Sequence, residues 1–124
     1  MNTFIVTAYV KVGGEMFGPF QAGDPVAEVG EWRVLADSAE KAAEKMWVVG
    51  NREGEDALGR TWPSDVRSLS VGDVLHVHDI LRGRITWFAV QPLGWREIEG
   101  REIGLFNLVD LVGSSATSRK AETP

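Results

Sequence analysis

Residues 67–90 read Arg67-Ser68-Leu69-Ser70-Val71-Gly72-Asp73-Val74-Leu75-His76-Val77-His78-Asp79-Ile80-Leu81-Arg82-Gly83-Arg84-Ile85-Thr86-Trp87-Phe88-Ala89-Val90. Two β-branched, apolar runs flank Arg82-Gly83. That pattern predicts a strand over Val74 to Ile80, a turn at Arg82-Gly83 and an antiparallel return over Ile85 to Val90. Gly72-Asp73 predicts a tight turn feeding the first strand. Side chains two apart on a strand share a face. Leu75 and Val77 therefore lie on one side of it, His76 and His78 on the other. A hairpin with one aliphatic side needs a cover.

The cover is upstream. Asp37-Ser38 opens the best-defined helical pattern, and Asp37 with Glu40 has capping-box spacing. The helix is expected over 39–49. Ala42, Ala43, Met46, Trp47 and Val49 form its apolar stripe; Glu40, Lys41, Glu44 and Lys45 mark its wet side. Gly50-Asn51 closes it, since either residue accepts the left-handed terminal conformation.

Further outward, Thr3 to Val12 reads as a strand with two apolar faces, hence an interior one. Gly13-Gly14 ends it. Residues 15–30 are rich in Gly and Pro and read as a long loop or an irregular hairpin tip. Trp32, Val34 and Ala36 mark a short second strand. Residues 52–65 are polar, a loop with room for one helical turn. Gln91-Pro92 breaks the second hairpin strand, and Trp95 to Ile98 reads as one more short strand. Over 101–111 a short helix and an edge strand both fit. Residues 114–124 carry only Ala116 and Ala121 as apolar side chains. They cannot offset their ordering entropy and are expected to be disordered.

The expected architecture is α+β: a small mixed or antiparallel sheet with one or two helices packed on one face, in a single domain over 1–113. Its expected core is Phe4, Val6, Val10, Val34, Met46, Trp47, Leu69, Val71, Val74, Leu75, Val77, Ile85, Trp87, Phe88, Val90, Ile98, Phe106 and Leu108. At 124 residues, 44% hydrophobic, the chain buries roughly two thirds of its surface without staples.

Composition removes several function classes. The chain has no cysteine, which rules out disulfides, thiolate metal sites and a cysteine nucleophile. Thirteen basic residues face eighteen acidic ones, for a net charge of −5. No run is predominantly basic, which disfavours phosphate-backbone binding. No stretch approaches the ~20 apolar residues of a membrane span, so a cytoplasmic location and no membrane partner are expected. Gly-x-Gly-x-x-Gly and Gly-x-x-x-x-Gly-Lys-Ser/Thr are both missing, and no cofactor is expected.

Among candidates for chemistry, His76 and His78 could face one metal, with Glu97 or Glu99 as a third ligand. The competing reading is the polar side of a hairpin. Ser68 and Ser70 lack the strained Gly-x-Ser-x-Gly elbow of a nucleophile and fit turn residues instead. Glu53, Glu55 and Asp56 read as a solvated loop. The oddity is five tryptophans. Trp47 and Trp87 sit in apolar contexts and read as core. Trp62, before Pro63, and Trp95, after Gly94, fall where the pattern breaks; each fits a cap on the core edge or an anchor for a partner.

Arg67 to Val74, then the hairpin, then Pro92-Leu93-Gly94-Trp95-Arg96-Glu97-Ile98 resembles the YodL-like domain. That domain carries a Ser-Leu-Ser-Val-x-Asp-Val stretch and a later Gly-aromatic-x-x-apolar pattern. The helix end Trp47-Val48-Val49-Gly50-Asn51 is similar to small actinobacterial, plasmid and phage proteins of this type. The resemblance spans about residues 40–99. It implies a phage or mobile-element accessory protein, often near antirestriction or conjugation functions, and no catalytic residues. A more distant likeness, through Val-Gly-Asp, is to PUA and ASCH barrels.

The expected function is thus non-catalytic binding of a host or element-encoded protein, through exposed Trp62, Trp95, Arg67 and Arg96. One alternative is a nucleic-acid-binding small barrel with a basic patch drawn from Arg60, Arg67, Arg82, Arg84, Arg96 and Arg101. The other is a metal-dependent enzyme at His76 and His78.

Overall fold

The computed structural model describes residues 1–103 and the backbone of 108–109. In chain order it forms β1 (Asn2–Lys11), β2 (Val26–Ala36), α1 (Ala39–Gly50), β3 (Val74–Asp79), β4 (Arg84–Val90), β5 (Trp95–Ile98), α2 (Gly100–Ile103) and β6 (Leu108–Val109). These strands make one sheet in the order β5-β4-β3-β1-β2-β6. Neighbours are antiparallel except β6, which runs parallel to β2. The fold is α+β.

The hairpin forms as its sequence predicts. Val74 pairs with Ala89, Val77 with Thr86 and Asp79 with Arg84. β1 is interior, between β2 and β3, which is why both its faces are apolar. β2 is far longer than the expected Trp32–Ala36 segment. A register shift between Ala8 and Tyr9 pairs Ala8 with Gly30 and Tyr9 with Glu28. Val29 is the extra residue of a bulge, so strict alternation is lost there and a glycine-containing stretch still pairs. Of residues 101–111, the described ones fall in a four-residue helix, Gly100–Ile103, and a two-residue strand, Leu108–Val109. The 114–124 tail, Phe106 and the side chain of Leu108 lie outside the described residues.

α1 covers one face of the sheet, here called the front. Ala42, Ala43, Met46 and Val49 are buried against Phe4, Val6, Ala8 and Val10 of β1 and Leu75, Val77, Phe88 and Val90 of β3 and β4. Each large side chain buried this way contributes about 1.5–3 kcal/mol. The helix starts on Ser38, not Asp37: the Ser38 hydroxyl accepts from the Lys41 amide. It ends on Asn51 at φ −105°, and the left-handed residue is Arg52 at φ 64°. Arg52 is held there by donating to the carbonyls of Pro63 and Val66. Gly50 is inside the helix, where an added Cβ would come within 2.7 Å of the Leu69 side chain.

Two buried aspartates fasten the long connections. Asp73 accepts from the backbone amides of Lys11 and Ser70, each at 2.7 Å, and from both terminal guanidinium nitrogens of Arg67 at 2.8 Å. The Ser-Leu-Ser-Val-Gly-Asp turn is thereby tied to the end of β1. Gly72 has φ 94°, and a Cβ there would collide with the Gly18 carbonyl oxygen; only glycine fits. Asp56 accepts the amides of Arg33, Leu58 and Arg60, clipping the 52–61 loop to the outer edge of β2. Lys11, almost wholly buried, pairs with Asp24 at 3.0 Å and donates to the Gly18 carbonyl, which fixes the 13–25 loop.

Four expected core residues lie elsewhere. Trp47 is 37% exposed and Ile85 52% exposed, while Val71 and Trp87 are half-buried. The reason is geometric: Ile85 and Trp87 lie on the back face of the hairpin, with the histidines, and Trp47 points off the flank of α1.

Candidate functional site

An apolar concavity lies where α1 meets the turn between β4 and β5. Val71 and Val90 are among its lining residues, Trp47 comes from α1, Trp95 from β5, and Pro92 and Leu93 from the turn. Glu44 supplies a carboxylate. The space is about 330 Å³, enough for one or two side chains. Trp47 and Trp95 meet edge to face at 6.2 Å, and Trp95 also leans on Phe88 at 6.3 Å. Leu93 is 93% exposed. Gly94, at φ 76°, makes the sharp return that holds Leu93 outward.

β5 ends the sheet on this side. The Gln91 amide donates to the Gly94 carbonyl at 3.0 Å, so this pair is a hydrogen-bonded one. Alternation along the antiparallel ladder then turns the N–H and C=O groups of Trp95 and Glu97 to the outer edge. An apolar groove thus lies beside a strand edge with backbone donors and acceptors directed outward.

Of the four expected contact residues, only Trp95 lines this groove. Trp62 is 4% exposed, which corrects its reading as an exposed anchor. It stacks on Trp32 with centroids 5.1 Å apart, and its indole N–H is satisfied by the carbonyls of Val66 and Arg67. Trp62 is a lid on the core edge. Arg67 is committed to Asp73, with Phe17 5.3 Å from its guanidinium carbon. Arg96 is on the opposite face of β5 from Trp95 and donates to the Phe20 carbonyl at 2.9 Å. The four do not form one surface. Trp47 and Leu93 were missed; the Pro-Leu-Gly turn was the available signal for Leu93.

Of the arginines proposed for a basic patch, Arg67 is held by Asp73 and four more are paired, while Arg84 makes no ion pair among the described residues. Arg60 lies beside Asp56, Arg82 beside Asp79, Arg96 near Glu102 and Arg101 beside Glu99. Each brings a carboxylate into the field that a phosphate would meet.

His76 and His78 share the back face, as alternation requires. Among the described residues no group of three His, Asp or Glu side chains is arranged to hold a metal ion. Glu97 pairs with Phe88 and so faces the front, and Glu99 is engaged by Arg101. His76 instead packs edge-on against Trp87 at 4.6 Å. Burial, then the neighbouring His78, lower its pKa below 6.5. Ser70 donates to the Ser68 carbonyl and Asp73 is saturated, which leaves turn roles for both serines.

Asp56 is held below the ordinary carboxyl value of 3.8. Burial acts to raise it, and the three amide hydrogen bonds together with the Arg60 charge outweigh that. Tyr9 is shifted up from 10.0 by burial and by Glu28 and Glu31.

Comparison of the chain with protein-family models, with curated proteins and with solved structures finds no match.

Proposed function

We propose that this chain is a non-catalytic accessory protein that works by binding another protein, encoded by its host or by a phage or plasmid. The contact is the groove between α1 and the β4–β5 turn. The partner supplies an extended segment that pairs with the outer edge of β5 and sets an apolar side chain between Trp47 and Trp95. The observation that carries this reading is Leu93: a large apolar side chain held 93% exposed beside an apolar groove and a strand edge. Strand addition of this kind draws affinity from backbone hydrogen bonds and specificity from alternate side-chain pockets. The YodL-like resemblance of residues 40–99 agrees with a binding role and supplies no catalytic group.

A photo-crosslinker at position 93, used in a bacterial host lysate, tests it. The expected result is one discrete adduct that is lost in Trp95→Ala and persists in Ile85→Ser, with both variants folded. Capture that is indifferent to Trp95→Ala, or equal from a crosslinker at position 85, overturns it.

A further inference from the structure

The back of the sheet, away from α1, is covered at one end only. Loop 13–25 and α2 bring Phe20 and Ile103 onto Val26, Val74, Ala89 and Ile98. At the margin of that cover, where Tyr9 and Trp87 pack against it, the register sets Glu31, Thr7, His76 and Trp87 side by side across β2, β1, β3 and β4. Tyr9 reaches over to Trp87, with centroids 5.7 Å apart and planes 35° off parallel, and His76 meets the same indole edge-on. Glu28 stands opposite Tyr9 on β2. Glu28 and Glu31 are both exposed.

Thr7 is the informative residue. It is 6% exposed, and among the described residues its hydroxyl makes no hydrogen bond. Nor is that oxygen sealed from solvent. A buried polar group normally has a partner, since leaving one unmade costs free energy. That hydroxyl is therefore left to solvent, on the row between Glu31 and His76. Arg33 lies on the next row with Ile5 and His78, while Arg96, on the same face, is engaged by Glu102 and the Phe20 carbonyl. Among the described residues the only guanidinium over a ring is Arg67 with Phe17, so Arg33 does not occupy the Tyr9–Trp87 pair.

We propose that this patch binds an arginine side chain of a partner protein. A guanidinium is planar, stacks on aromatic faces, and presents N–H donors in a fork. Stacked on the Trp87 and Tyr9 rings, it would donate to the Thr7 hydroxyl and to Glu31, with Glu28 adding attraction. An anionic ligand would meet both carboxylates and is disfavoured. The patch is on the other side of the sheet from the groove. It extends the binding reading without depending on that groove.

The test is an NMR titration of the full chain, following the Trp87 indole N–H, with blocked pentapeptides differing only at the centre: arginine, lysine or citrulline. Arginine should give a saturable shift with Kd of about millimolar, as expected of one side chain. Lysine should bind more weakly, and citrulline, the neutral isostere, should give none. Glu31→Gln should weaken arginine binding about 2- to 5-fold, and Trp87→Leu about 2- to 30-fold. Arg33→Gln, which removes the competing charge, should tighten it. If Trp87→Leu does not fold, the Glu31 and Arg33 variants carry the test. Equal responses to arginine and citrulline, no saturable shift with arginine, or an unchanged Kd in Glu31→Gln would overturn the proposal. Leu93→Asp should leave the titration unchanged, which separates failure here from failure of the groove.

Discussion

The two faces of the central sheet carry similar residue types and have opposite fates. On the front, Phe4, Val6, Val77 and Phe88 are sealed under Met46 and Val49. On the back, Ile5, Tyr9 and Trp87 are half-buried and Ile85 is exposed. The strands are equally well paired on both sides, because they are the same strands. What differs is the cover: a twelve-residue helix against a loop and one helical turn that reach only one end. Hydrophobicity makes a residue eligible for burial, and the presence of an opposing layer decides whether it is buried.

The sharpest way to break the comparison is to attack the front and its ties. Asp73→Ala should cost about 3–5 kcal/mol, because it frees a guanidinium and two buried amides at once; urea unfolding measures it. Met46→Ala should cost about 2–5 kcal/mol by leaving a cavity between α1 and the sheet. A loss below about 1 kcal/mol for either would mean that the front is not the sealed face.

The pH response separates the faces in another way. His76 has a folded-state pKa below its unfolded value of 6.5. The unfolded chain therefore binds the proton more readily, and stability rises with pH through that window. The His76 contribution is complete above pH 6.5 and is lost as pH falls through the lowered folded value. His76→Gln should flatten the drop in urea midpoint between pH 8 and pH 5. Asp56 has the same sign in a more acid window, its contribution being present above 3.8 and lost below as its lowered pKa is passed. A His76→Gln variant with the wild-type pH slope would place the imidazole outside the partly buried site beside Trp87.

The smallest effects belong to the open surfaces. Ile85→Ser on the back and Leu93→Asp at the groove should each change stability by less than about 0.5 kcal/mol. Thermal melts check both. A loss well beyond that at Ile85 would mean that another layer covers the back face in solution.

Much of the fold was legible in the residues. The hairpin over 74–90 followed from two β-branched runs about a turn, and the helix over 39–50 from its apolar spacing. Both are local patterns. The start of β2 was not legible, because its pairing with β1 passes through a bulge at Val29 and a glycine. The helix cap moved by one residue to Ser38, since two adjacent residues have capping side chains and the path of the entering chain selects between them. Of the site, Trp95 was visible as a break in the pattern. Trp62 showed a similar break and turned out to be stacked on Trp32, thirty positions earlier.

The sequence by itself determined the periodicities: which segments pair, which segment coils, and which side chains share a face of a given strand. These depend on backbone geometry over a few residues. Only the tertiary structure decided how far the opposite face is covered, which tryptophan is sealed and which lines the groove, and that Arg67 serves Asp73 instead of a partner. Those outcomes rest on contacts between residues far apart in the chain, where burial goes to whichever surface another layer can reach, and no local pattern encodes that reach.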